Sequence, residues 1–258
     1  MPGEILLVKV VVTPVLIAVA TLVGRRWGPS VAGWLAGFPL TSGPVSVFLA
    51  LEQGPAFAAR AAVGTLFGLA AMAVCCLVYA RVAHAATWPL STATGLVAFL
   101  MCGAALRRVP ASLPLAFVLV CTVLALSALA MPATATSERG LSQREWDLPL
   151  RMAVGTAMVV LLTSAASHLG ALMSGLLSPV PVFLLVLAAF AHDADGAGVS
   201  TRILFAGVVG SFAFAIFFLV VGAALGRLGL VATYALASAG AVAVNGAVLV
   251  ASRRGFAR

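Results

Sequence analysis

The sequence is a succession of long apolar runs, each about as long as a lipid bilayer is thick. We mark nine runs of roughly 17 to 23 residues, and about 20 residues of helix cross the ~30 Å bilayer core. Only 9% of the residues are charged, whereas soluble domains have about 25%. The runs lack the alternation of outer-membrane strands. The pattern therefore predicts an all-α polytopic membrane protein, because a spanning helix satisfies its own backbone.

Two of the nine runs are interrupted in the middle by proline. The predicted segments cover about residues 5–23, 31–51, 58–79, 90–106, 113–130, 150–167, 171–191, 203–225 and 228–250. Segment two carries the first break, residues 37–44, and segment seven the second break, Ser178–Pro181. Residues 131–149 form the only long hydrophilic connection, predicted as a surface helix or a plain loop.

The two broken runs belong to an internal duplication with an offset of 142 residues. Four glycine pairs and one arginine pair fall into register, where chance would give fewer than one glycine pair: Gly28/Gly170, Gly33/Gly175, Gly54/Gly196, Gly68/Gly210 and Arg60/Arg202. Segments one to four match six to nine, and segment five has no counterpart. Because an odd number of crossings separates the repeats, they are predicted to be inverted. The expected division is 1–109 for the first repeat, 110–149 for the linker helix and cytoplasmic loop, and 150–258 for the second repeat.

The basic residues predict the orientation. Five of the 15 fall on the side of the N-terminus and ten on the other side. The positive-inside rule places the N-terminus outside and the C-terminus in the cytoplasm of a bacterial inner membrane. No basic stripe accompanies the net charge of +8, so a nucleic-acid partner is not expected. A lipid bilayer and a small solute are the expected partners, and whether the chain forms a homo-oligomer is left open.

One stretch of the first repeat resembles the GlpM family of small bacterial inner-membrane proteins. The resemblance is carried by Ala32-Gly33, Phe38-Pro39, Glu52-Gln53-Gly54 and Arg60, and it extends more faintly over the second repeat. Members have about the length of one repeat and about four predicted helices, so the resemblance implies a fused tandem duplication. The second repeat departs from it with Ala194 in place of Glu52 and Pro179 in place of Gly37. The family is linked by name to glycerol metabolism and alginate production, and no residue role follows from it.

The breaks are the candidate solute site. Proline removes a helical hydrogen bond, and backbone groups freed within a membrane need partners or a lined cavity. We expect Ser42 or Gly43 to cap one half-helix, with Pro44 in its first turn, and Ser178 to cap the other, with Pro179 opening it. Two inward-pointing helix N-termini would favour an anion. The alternative is a pair of simple proline kinks with no ligand. The expected binding residues are Pro39, Thr41, Ser42, Gly43, Ser178, Pro179 and Pro181.

Titratable groups close both broken segments. Glu52 ends segment two, and His192, Asp193 and Asp195 follow segment seven. They are candidates for proton-linked gates, one at each membrane face. The alternative is a solvated loop in which the acids lie beside Arg60 and Arg202.

No pattern indicates catalysis. The sequence has no metalloprotease, nucleophile-elbow or phosphate-loop motif, and its four cysteines lack metal-binding spacing. We expect no enzyme, cofactor or metal. The leading hypothesis is a secondary transporter of a small anionic or polyhydroxy solute, with its site at mid-membrane. The alternatives are a passive channel and a non-transporting scaffold of an envelope polysaccharide system.

Overall fold

The computed structural model describes residues 42–133 and 147–255, with six isolated positions before them, among which is Pro39. All but five positions of segment one, most of the N-terminal half of segment two including Thr41, residues 134–146 of the hydrophilic loop and residues 256–258 lie outside the described residues. The described chain has no strands. Its helices are α1 Ser42–Glu52, α2 Pro55–Val82, α3 Trp88–Leu106, α4 Leu113–Ala130, α5 Asp147–Leu177, α6 Val182–Asp195, α7 Ala197–Leu228 and α8 Leu230–Gly255.

Five of these helices are long and apolar enough to cross a bilayer: α2, α3, α4, α7 and the first 18 residues of α8. The predicted all-helical class is confirmed over the described residues, and these helices suit a multi-pass membrane protein. Their burial does not simply follow their apolarity, because α4 is nearly as apolar as α7 but far less buried. The most apolar 18 residues are 83% buried in α2 and 61% in α7, but only 22% in α3, α4 and α8. The helices α2 and α7 therefore form the centre, and the others surround them.

The helix α2 packs against α1, α3, α4, α5 and α7. Its contact with the C-terminal part of α5 is a close backbone crossing. A Cβ added at Gly64 or Gly68 would overlap the carbonyl oxygen of Leu172 or Leu176, and one added at Gly175 would overlap that of Ala61. Glycines four residues apart let helices approach in this way. We call the crossing of Gly64, Gly68 and Gly175 the glycine seam.

The run labelled α5 contains two helices that meet at Gly170, and the second of them ends at the second break. Segments six and seven were expected to be separate near residues 167–171, and the backbone leaves the helical conformation there, at Gly170 (φ 74°, ψ 166°). Only glycine adopts such a conformation without strain. The helix stops at Leu177 and the next begins at Val182, so the predicted interruption of segment seven is present.

The predicted capping of the second half-helix is wrong. Pro181 is the N-cap residue of α6, and no side chain caps this helix. Ser178 instead lies in the turn after α5, where its N–H donates to the Gly175 carbonyl at 3.0 Å. The Val180 N–H likewise donates to the Leu177 carbonyl. Because residues 178–180 turn back onto the end of α5, the helix starts three residues later than expected.

Several helices begin at the spacing of the sequence duplication. Ala197 follows Pro55 by 142 positions, and Leu230 follows Trp88 by the same number. Gly54 and Gly196, which precede α2 and α7, have φ of 91° and 89°. These values favour glycine, so the paired glycines make equivalent turns.

Candidate functional site

The second break lies directly against the start of α1. The Ser42 hydroxyl donates a hydrogen bond of 2.9 Å to the Ser178 carbonyl, across 136 residues of sequence. Ser42 and Ser178 are 1% and 2% exposed. The Ser178 carbonyl follows the end of α5, where helical carbonyls lose their intrahelical partners. A side chain from the other broken segment therefore satisfies it.

Both short helices begin at this junction. The Gly43 N–H donates to the Pro39 carbonyl at 2.7 Å. Ser42 and Gly43 are therefore already helical and do not cap this helix, contrary to the prediction, whereas Pro44 lies in the first turn of α1, as predicted. In α6 the Leu185 N–H donates to the Pro181 carbonyl, also at 2.7 Å. The first N–H groups of a helix have no intrahelical acceptor, so the start of α6 brings such donors to the region around Ser178.

The Ser178 hydroxyl is a buried polar atom without a hydrogen-bond partner among the described residues. Leaving such a group unsatisfied costs about 1–3 kcal/mol. The Ser178 carbonyl accepts a hydrogen bond from Ser42. The Ser178 hydroxyl is therefore the group of this residue that still lacks a partner.

The predicted binding residues that the structure describes are all buried here: Pro39, Ser42, Gly43, Ser178, Pro179 and Pro181. Pro179 packs against the glycine seam, where a Cβ at Gly68 would lie 2.6 Å from the Pro179 Cγ. A Cβ at Gly43 would reach the Phe217 ring at 3.9 Å. The junction is closed by these contacts.

Two tyrosine contacts that the sequence analysis missed hold the short helices. Ser46 of α1 shares a 2.6 Å hydrogen bond with the Tyr234 hydroxyl of α8. The Tyr79 hydroxyl of α2 lies 3.4 Å from the His192 Nδ1 of α6, and the two rings meet edge to face. The chain contains two tyrosines, and each contacts one of the short helices. The scarcity of tyrosine could have marked these two residues in the sequence, although their hydrogen-bond partners could not be predicted from it.

The predicted gating residues lie at opposite ends of the bundle. Glu52 ends α1 next to the start of α2, while His192 contacts Tyr79 near the end of α2. We call these the Glu52 end and the His192 end. Glu52 and Asp193 are exposed, whereas His192 and Asp195 are partly buried.

The environment of His192 disfavours its charge. Burial lowers the pKa of His192, and the nearby His84 lowers it further, while Asp193 acts in the opposite direction. His192 lies in the last turn of α6, directly after the apolar stretch 171–191. A neutral imidazole here can accept a hydrogen bond from Tyr79.

No family model, curated protein or solved structure matches this chain. The functional proposal therefore rests on the residues around the Ser42–Ser178 contact.

Proposed function

We propose that the protein is a secondary transporter of a small solute, with its binding site where the two breaks meet. The observation that carries the proposal is the Ser42–Ser178 contact. It joins the starts and ends of interrupted helices deep inside an apolar bundle. Discontinuous helices that meet at mid-membrane are the usual site of solute binding in such transporters.

The chemistry of the junction favours an anionic or polyhydroxy solute. Helix N-termini present N–H donors and a partial positive charge. The unpartnered Ser178 hydroxyl supplies one more hydrogen-bonding group. Neither break contains an acidic residue, so nothing in them offers a carboxylate to a cation.

The proposal includes nine spans in two inverted four-helix repeats joined by a linker helix. The equal spacing of helix starts and the equivalent turns at Gly54 and Gly196 support it. A GlpM-like ancestor of one repeat fits the same arrangement. We place the chain in a bacterial inner membrane with its C-terminus, and hence the His192 end, in the cytoplasm.

Glu52 at one end and His192, Asp193 and Asp195 at the other are the proposed gating groups. Their separation along the bundle supports this role, since alternating access requires one gate at each face. The burial of Ser42 and Ser178 favours a closed, occluded site over a permanently open pore.

The test is counterflow of labelled solute into liposomes that contain the purified protein. Inorganic phosphate, acetate and glycerol represent the oxyanion, carboxylate and polyhydroxy classes. We expect saturable counterflow of one class, and Ser178→Ala should weaken its apparent affinity about fivefold, as the loss of a hydrogen bond of roughly 1 kcal/mol implies.

Ser211→Ala is the matched control. Ser211 is equally buried, but its hydroxyl donates to the Gly207 carbonyl of its own helix at 2.7 Å. The Ser211→Ala variant should leave the apparent affinity for the solute unchanged. Flux that rises linearly with concentration would indicate a passive channel. Absence of flux with all three solutes, together with a co-purified partner, would indicate a scaffold.

A further inference from the structure

Each of the two short helices that begin at the breaks is tied to a long helix by one tyrosine hydroxyl. We propose that these two contacts are latches that keep the site closed, and that protons release only the latch at His192. The proposal deepens the proposed function, because it assigns the regulation of the same site. It makes the His192 end the proton-sensitive face of the transporter.

The latches hold equivalent elements from non-equivalent positions. The duplication pairs α1 with α6, yet it pairs Tyr79 with Val221 and Tyr234 with Thr92. Ser46 lies one turn into α1, and His192 lies in the last turn of α6. If both repeats had simply kept the residues of one ancestor, the two tyrosines would lie at paired positions, and they do not. The two repeats therefore differ in the latch that holds the short helix.

The two latches lie on opposite sides of the junction. Tyr234 is near the start of α8, which follows the end of α7, and α1 runs from the junction toward that same Glu52 end. Tyr79 is near the end of α2, and α6 runs from the junction toward it. Movement of α1 would thus expose the junction from one face, and movement of α6 from the other.

Their chemistry differs in one respect. Ser46 and Tyr234 are both hydroxyls, which keep their protons at physiological pH. The second latch pairs a hydroxyl with an imidazole, the side chain that titrates near neutrality. A proton from the solvent that adds to Nδ1 removes the acceptor for the Tyr79 O–H and leaves a positive charge that needs water.

The groups around His192 give the direction of the effect. His84 opposes its charge and Asp193 favours it. The helices packed around α6 add few charged groups near His192. Neither α3 nor the end of α5 has an acidic or basic residue. Arg202 lies in the second turn of α7, and Arg81 of α2 donates to the Ala130 carbonyl. The pKa of His192 is thus lower in the closed latch than in water.

The sign follows from linkage. Above the ordinary pKa of about 6.5 the imidazole is neutral whether the latch is closed or open, so pH has no effect. Below it the open, solvated form binds the proton first, and the closed latch loses stability until both forms are protonated. Acid therefore favours opening at the His192 end.

Hydrogen–deuterium exchange on the full-length protein in lipid nanodiscs tests this without any solute. After correction for intrinsic exchange rates, amides of α6 should exchange severalfold faster at pH 5 than at pH 8, because acid favours the open form. Amides of α1 should change less than twofold. Tyr234→Phe should loosen α1 equally at both pH values.

Three histidine variants decide whether His192 is responsible. His192→Gln should abolish the acid response of α6. His84→Gln should keep it but move its midpoint to higher pH, since an opposing charge is gone. His168→Gln removes an exposed histidine of α5 and should change nothing.

An acid response of α6 that survives in His192→Gln, or an equal response in α1, overturns the proposal. So does an unmoved midpoint in His84→Gln. The outcome is independent of transport. A protein that shows the acid response but carries no tested solute keeps the latch and loses the proposed function, and the reverse result keeps the function and loses the latch.

Discussion

At the scale of single residues, the glycine seam places the strictest demand on the sequence. A side chain at Gly64, Gly68 or Gly175 would meet backbone atoms, which cannot rotate away as a flexible side chain can. The small-residue pattern Gly64-x-x-x-Gly68 was visible in the sequence and indicates such a crossing. What it could not tell was which of the other helices would fill the groove.

Gly175→Ala should lower the free energy of unfolding by about 2 kcal/mol, within the range found for overpacked sites. The added methyl would overlap the Ala61 carbonyl oxygen, so α2 and α5 must separate. Gly246→Ala is the control, since a Cβ there meets nothing within 4 Å. It should be neutral or stabilise α8 by up to about 1 kcal/mol.

Thermal unfolding of the two variants in the same detergent makes this comparison. Equal melting temperatures for Gly175→Ala and the wild type would mean that the two helices are not in backbone contact.

At the scale of elements, the sequence predicted where the helix of segment seven stops better than how the next one starts. Two prolines within four residues of Ser178 delete backbone donors, and this alone predicts an interruption. The choice of cap depends on the tertiary partner. The Ser178 carbonyl is bound by Ser42, and that contact joins residues 136 positions apart, which no local pattern specifies.

The division of segments six and seven agrees with the structure for a local reason. A glycine with positive φ can end a helix. At Gly170 the backbone is non-helical and separates two helices. The tyrosine latches were missed because apolar periodicity predicts which face is buried but not the residue that lies opposite.

Gly54→Ala and Gly196→Ala should destabilise the protein by similar amounts, about 1–3 kcal/mol each. Both glycines combine φ near 90° with extended ψ, a conformation that side chains strongly oppose. Gln53→Ala, a substitution at the exposed neighbouring position, should have little effect.

Chemical unfolding of these three variants measures the effects. A large loss at one glycine and none at the other would argue against equivalent turns, and so against the proposed duplication.

At the scale of the whole molecule, burial separates core from rim more clearly than apolarity does. The helices α3, α4 and α8 present large apolar side chains outward, among them Met101, Leu129 and Val231, which are 69%, 83% and 80% exposed. In water such a rim would be a liability, but in lipid it is an ordinary surface. Composition predicts this environment. It does not predict that α2 and α7 occupy the centre, because α4 is as apolar as they are and yet lies at the rim.

Reporter fusions should read cytoplasm after Arg26, outside after Arg108 and cytoplasm after Arg258. The expectation rests on the excess of basic residues on one side and on the parity of nine crossings. Alkaline phosphatase and green fluorescent protein fusions at the same three sites give opposite signals and serve as mutual controls. A C-terminal fusion that reports outside would contradict the inverted scheme.

The glycine seam also limits how the molecule can move. Displacement of α5 along α2 by a single residue, about 1.5 Å, would bring the Leu172 and Leu176 carbonyls against Cα atoms and side chains instead of the bare faces of Gly64 and Gly68. Rotation about the crossing point leaves those contacts in place. The seam thus permits rotation of α5 against α2 but opposes sliding of one along the other.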